Sequence, residues 1–163
     1  MVMKRVIALL MENQPGALSR VVGLFSQRGY NIETLIVAPT TDPTLSRLTM
    51  STNGDEKIVQ QITKQLDKLI DVVTVADLGE SDFVETELML VKLNKSSITG
   101  NEIEKFEGKV VFEDNEIINL QFVGEPDKLD KLVKELNKKE VLEIVRSGSL
   151  GISSNAKTLT INK

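Results

Sequence analysis

The chain has 163 residues, 40% of them apolar, with a formal net charge of −4 and a pI near 5.0. It contains no Cys and no His, which excludes disulfides, thiol nucleophiles, thiolate or imidazole metal sites and any triad with a histidine base. Net negative charge, 4% aromatic residues and only the short doublets Lys4-Arg5 and Lys138-Lys139 are not the composition of a nucleic-acid binder. The N-terminal apolar run ends at Glu12, too short for a secretory core or a membrane span. A cytoplasmic chain that contacts neither membrane nor nucleic acid is expected.

Residues 6–11 form a continuous apolar run, as in a buried central strand. Asn13-Gln14-Pro15-Gly16 breaks it. Ala17, Leu18, Val21, Val22 and Phe25 then fall at helical spacing, and Arg28-Gly29 supplies a helix C-terminus. Residues 31–39 are β-branched and apolar and read as a second strand, Thr41-Asp42-Pro43-Thr44 as a turn, and the alternation over 46–52 as a half-buried strand. Asp55 is placed to cap a helix carrying the stripe Ile58, Ile62, Leu66 and Leu69, and 72–78 closes the unit as a strand. The order is β-α-β-β-α-β.

The acidic stretch 80–85 reads as a junction, and the same outline follows. It comprises a strand at 86–93, a short helix over 98–106, strands at 109–112 and 116–123 around Asp114-Asn115, a helix marked by Leu129, Leu132, Val133 and Leu136, and a strand at 141–146. The Gly/Ser-rich tail from Ser147 is expected to be loose as far as Leu159. The fold class is therefore α+β, with two tandem ferredoxin-like βαββαβ domains, residues 1–80 and 81–163.

The first strand-to-helix connection carries the clearest chemistry. A helix start has unsatisfied N–H groups and a positive dipole end. Gly16 lets a ligand approach them because no Cβ intrudes. Asn13 and Asn31 add amides that donate and accept. The set suits a free amino acid: N–H groups for its carboxylate, Asn carbonyls for its ammonium, apolar groups for its tail. A plain turn, with Pro15-Gly16 as punctuation and Asn13 as its cap, fits the same residues and is the commoner use of them. No GxGxxG, Walker-type loop or GxSxG is present, and no carboxylate pair is placed for acid–base work. No catalytic and no metal-ligating residue is assigned.

Asn13-Gln14-Pro15-Gly16-Ala17-Leu18-Ser19-Arg20 resembles the opening of an ACT domain, a small amino-acid-sensing module. The continuation Gly23-Leu24-Phe25-Ser26-Gln27-Arg28-Gly29-Tyr30-Asn31-Ile32-Glu33, then Val37-Ala38-Pro39-Thr40 and Asp42-Pro43-Thr44-Leu45-Ser46-Arg47, resembles the small regulatory subunit of acetolactate synthase (acetohydroxyacid synthase). Glu87-Leu88-Met89-Leu90-Val91-Lys92 and Val145-Arg146-Ser147-Gly148 resemble that family's C-terminal domain, and the family's usual Phe-Arg-Gly reads Phe106-Glu107-Gly108 here.

The resemblance implies that the 1–80 domain is an ACT domain, that two such domains pair side by side in a homodimer, and that an effector, typically valine, binds at the shared interface. The matching positions are Asn13, Gly16, Ser19 and Asn31 with Ala38 nearby, flanked by Pro15, Ala17, Leu18 and Ile32. Ile36 stands where the family often has Thr. It also implies a non-catalytic chain, a regulatory subunit in branched-chain amino acid biosynthesis. Such a chain activates a large catalytic subunit holding thiamine diphosphate, magnesium and FAD, and confers feedback inhibition on it. An ACT-type amino-acid sensor of another enzyme shares this fold and site and differs in partner.

Overall fold

The computed structural model describes residues 3–80, 82–155, 158 and 159. In chain order these form β1 (Met3–Glu12), α1 (Ala17–Arg28), β2 (Thr34–Pro39), β3 (Leu45–Gly54), α2 (Glu56–Leu66), β4 (Val72–Asp77), β5 (Phe83–Asn94), α3 (Gly100–Lys105), β6 (Lys109–Glu113), β7 (Ile117–Gly124), α4 (Pro126–Leu136), β8 (Val141–Arg146) and β9 (Leu150–Ser153). The chain divides into two compact units. One runs to Val84 and takes in the tail from Ser149; the other is Glu85–Gly148.

In the first unit four antiparallel strands lie in the order β2-β3-β1-β4. Alternation along β1 and β3 sends Ile7, Leu9, Leu48 and Met50 to one face, where they bury Ala17, Val21 and Phe25 of α1 and Val59, Ile62 and Leu66 of α2. The four-residue spacing of 17, 21 and 25 is the helical period that makes α1 one-sided. Phe25 meets Tyr30 edge-on at 6.3 Å, closing the C-terminal end of α1. Asp55 Oδ1 accepts the Ile58 N–H at 2.8 Å and caps α2.

The second unit repeats the plan as β6-β7-β5-β8. Met89, Val91, Leu93, Leu120 and Phe122 pack against Leu129, Leu132 and Leu136 of α4. The short helix α3 has six residues. It is held at its start by a capping box, in which the Glu102 N–H donates to Thr99 Oγ1 and Glu102 Oε2 accepts from the Thr99 N–H. Both units are thus ferredoxin-like, as the period of the apolar residues implies.

Several boundaries differ from the sequence reading. The second strand begins at Thr34 rather than 31, because the Asn31 carbonyl accepts the Thr52 hydroxyl at 2.6 Å before strand pairing with β3 starts. Residues 78–80 form a single 3₁₀ turn after β4. Compactness groups residues up to Val84 and the tail from Ser149 in the first unit. Over Leu150–Ser153 the chain is a strand rather than loose. β9 pairs with β5, Arg47 Nη2 donates to the Gly151 carbonyl at 2.7 Å, and Lys4 Nζ donates to Ser149 Oγ at 3.1 Å.

The reason is apolar surface. Val6 and Ala8 point away from the helices, and with Leu78 they make a second buried cluster joined by Phe83 and Leu159. Gly151 fits against it so closely that a Cβ would stand 2.6 Å from Leu78 Cδ1. Ser81, in the expected junction, and tail residues 156, 157 and 160–163 lie outside the described residues.

Candidate functional site

Helix α1 begins at Gly16, whose φ of 89° and ψ of −17° put it in the left-handed region open to glycine. No side chain caps this helix. The Ala17 N–H reaches the Gln14 carbonyl at 3.3 Å and the Arg20 N–H reaches the Gly16 carbonyl at 3.0 Å. Among the described residues the N–H groups of Leu18 and Ser19, in the first turn, have no hydrogen-bond partner. The loop ahead of the helix is fastened on one side to residues 43–44. The Asn13 N–H donates to the Thr44 carbonyl at 2.7 Å, and Asn13 Nδ2 donates to the Pro43 carbonyl at 3.0 Å.

On its other side the loop is fastened to Asp71, which is 2% exposed. The Asp71 carboxylate accepts from Arg20 Nε, from Arg20 Nη2 at 2.8 Å and from Gln14 Nε2 at 2.7 Å, and the Glu12 N–H donates to the Asp71 carbonyl at 2.8 Å. The Arg20 hydrogen bond holds the Asp71 carboxyl below its ordinary range, with Gln14 and the Arg20 charge adding to the effect and burial opposing it. Arg20 is raised in turn by the same bond.

The ten residues singled out in the sequence fall into four places. Asn13, Pro15, Gly16, Leu18 and Ser19 surround the start of α1 and are exposed. Ala17 is 1% exposed, and its methyl belongs to the first core. Asn31 and Ile32 lie beyond the other end of the 12-residue helix α1, about 18 Å away at 1.5 Å per residue. There Asn31 Nδ2 donates to Glu33 Oε1 at 2.8 Å, and Ile32 packs on the first core. Ile36 and Ala38 stand opposite Thr49 and Arg47, on the sheet face away from the helices, whereas Leu35 and Val37 pair with the core residues Met50 and Leu48. One protomer therefore does not gather the set. Gln14, Arg20 and Asp71 join the site only through the fold. Asp71 lies 51 residues from Arg20, so no local pattern announces it.

Among the described residues no group of three or more Asp, Glu, His or Cys is arranged to hold a metal, and no helix is long and apolar enough to cross a membrane.

Comparison with known proteins bears on this architecture. Residues 7–74 match the family model for the AHAS (acetohydroxyacid synthase) small subunit-like ACT domain, and residues 86–155 match that for the small subunit of acetolactate synthase. The chain is 47% identical over 162 residues to the acetolactate synthase isozyme 3 small subunit of Salmonella typhimurium, covering 96% of this chain and 99% of that protein. It is 46% identical to the Escherichia coli isozyme 3 small subunit, with the same coverage. The crystal structure of the acetolactate synthase small subunit from Thermotoga maritima superposes with a TM-score of 0.83 at 32% identity, covering 92% of this chain and 96% of that one. The chain belongs to the acetolactate synthase small-subunit family, with an ACT domain as its first unit.

Proposed function

We propose that this chain is the non-catalytic regulatory subunit of an acetolactate synthase. It activates the large catalytic subunit, and L-valine bound to its ACT domain reverses that activation. The relatives' names supply the enzyme. The large subunit carries the thiamine diphosphate, magnesium and FAD. As part of branched-chain amino acid biosynthesis it works in the cytoplasm.

The observation that carries the effector reading is the separation of the two amide-bearing ends. Asn13, Gly16 and Ser19 sit at one end of α1 and Asn31 at the other, too far apart to hold one small molecule. Strand β2 is an edge strand with Val37 36% exposed, and its outer backbone groups are available for pairing. A two-fold interface is isologous. Two β2 edges side by side run antiparallel and bring the Asn31 end of one protomer to the Gly16 end of its partner. Each of two equivalent sites then has helix N–H donors from one copy and the Asn31 amide from the other. Ala17, buried in its own core, contributes there through its backbone at most.

Regulation requires that valine bind differently to two arrangements of the complex. The test is reconstitution of the chain with its large subunit and assay of acetolactate formation against L-valine. The account expects the chain alone to form no acetolactate, the large subunit to speed up on its addition, and L-valine but not D-valine to undo the gain. Activation with no response to valine, leucine or isoleucine would remove the effector part of the reading.

A further inference from the structure

The Arg20–Asp71 pair does more than brace the loop. Asp71 takes Arg20 by Nε and Nη2, and Nη1 makes no hydrogen bond among the described residues. The guanidinium is a rigid planar fork, so fixing two nitrogens fixes the direction of the third. That third nitrogen points at the open side of Gly16: a Cβ built on Gly16 would stand 3.0 Å from Nη1. Half of the Arg20 side chain remains exposed (46%), whereas its carboxylate partner is covered. Gly16 and Arg20 Nη1 thus face each other at the start of α1, and Asp71 also holds Gln14, the residue between Asn13 and Pro15.

We propose that Arg20 receives the carboxylate of the bound amino acid through Nη1, and that Asp71 is the positioning residue that aims it. The proposal rests on the effector reading above and adds to it a charged contact and its support. Gly16 then serves twice, since it admits the ligand to the helix N–H groups and also keeps the guanidinium uncovered. The arrangement sets a chemical requirement as well. Glu12 and Asp71 together outweigh the Arg20 charge, so the cluster does not collect anions in general. It selects a carboxylate oxygen presented in line with one N–H, on a ligand whose ammonium offsets the surplus negative charge. A charge-assisted bond of this kind corresponds to about tenfold or more in affinity.

A ligand–residue cycle tests this. The full chain is titrated calorimetrically with L-valine and with L-valinamide, which keeps the ammonium and side chain and lacks the carboxylate. The pH is chosen so that both ammonium groups are protonated. Wild type, Arg20→Gln and Asp71→Asn are compared, with Arg20→Lys added in case the glutamine variant does not fold. The expected result is that wild type prefers valine and that the valine-to-valinamide affinity ratio falls about tenfold or more in Arg20→Gln. It should fall partway in Arg20→Lys and Asp71→Asn, the ratio cancelling any loss that both ligands share. If both ligands weaken by the same factor in every variant, Arg20 only shapes the loop and the inference is wrong while the effector reading stands. If wild type binds no branched-chain amino acid, the effector reading fails and takes this inference with it.

Discussion

Gly16 and Arg20 are one helical turn apart, and a Cβ added at Gly16 would stand 3.0 Å from Arg20 Nη1. Substitution at Gly16 therefore acts in three ways. It strains a left-handed φ of 89°, it fills the approach to the first-turn N–H groups, and it presses on Arg20. Gly16→Asp adds a carboxylate that competes with Asp71 for Arg20 and repels the ligand's own carboxylate. The expected outcome is an activating subunit whose reconstituted enzyme no longer responds to valine, read from activity against L-valine concentration.

The tail makes a prediction about stability. Gly151 lies against Leu78, Val6 and Phe83 with no room for a side chain. Gly151→Val forces β9 away from this buried cluster and is expected to cost about 1–3 kcal/mol by overpacking. Gly23→Ala is the contrast. It sits within α1 with nothing within 4 Å of an added Cβ, and should stabilise by about 0.5–1 kcal/mol. Urea unfolding followed by circular dichroism distinguishes the two signs.

In the second unit Glu87 is 2% exposed. It accepts from Arg146 Nε at 2.8 Å, from Arg146 Nη2 at 2.6 Å and from the Gly148 N–H at 3.1 Å. The network ties the start of β5 to the end of β8, where the chain leaves this unit. Glu87→Ala removes the acceptor of three donors while Arg146 keeps Asp130, and is expected to destabilise by about 1–3 kcal/mol. Hydrogen exchange should place the loss in residues 85–148 first.

Acid sensitivity has an identifiable contributor in Glu102, whose carboxyl is lowered to about 2 by Lys139, by the Thr99 backbone and by the Thr99 hydroxyl. A carboxyl lowered in the folded state binds fewer protons there than in the unfolded chain. Its contribution is thus complete above the ordinary value of 4.5 and is lost as pH falls through about 2. Wild type should lose stability relative to Glu102→Gln across that window and keep a constant difference above about pH 6, as measured by thermal unfolding at a series of pH values.

The parts of this molecule that can be read from sequence are those fixed by near neighbours. The four-residue stripe Ala17, Val21, Phe25 announces α1, and Pro15-Gly16 announces its start. Period-two alternation places Leu48 and Met50 on one face. What escapes is non-local. Asp71 carries no local mark of its pairing with Arg20, 51 residues earlier in the chain. Ser149 and Gly151 look like slack chain until Val6 and Leu78 need covering. Helix α3 is too short to show a period, and its Thr99-to-Glu102 spacing is the one local mark it carries. The candidate site is legible as a set of residues, but their distribution over two ends of α1 and two faces of a sheet follows from strand register, which the set does not contain.

That distribution leads to the most direct measurement. Gly16→Asp and Asn31→Ala chains, carrying different affinity tags, are co-expressed, and the mixed dimer is purified and titrated with L-valine. If each site takes its helix start from one copy and its Asn31 from the other, both defects fall in one site of the mixed dimer and the second site is intact. The account predicts that each homodimer fails to bind and that the mixed dimer binds one valine per two chains. A mixed dimer as inert as its parents would mean that each protomer carries a complete site of its own, and the shared-site account would be wrong.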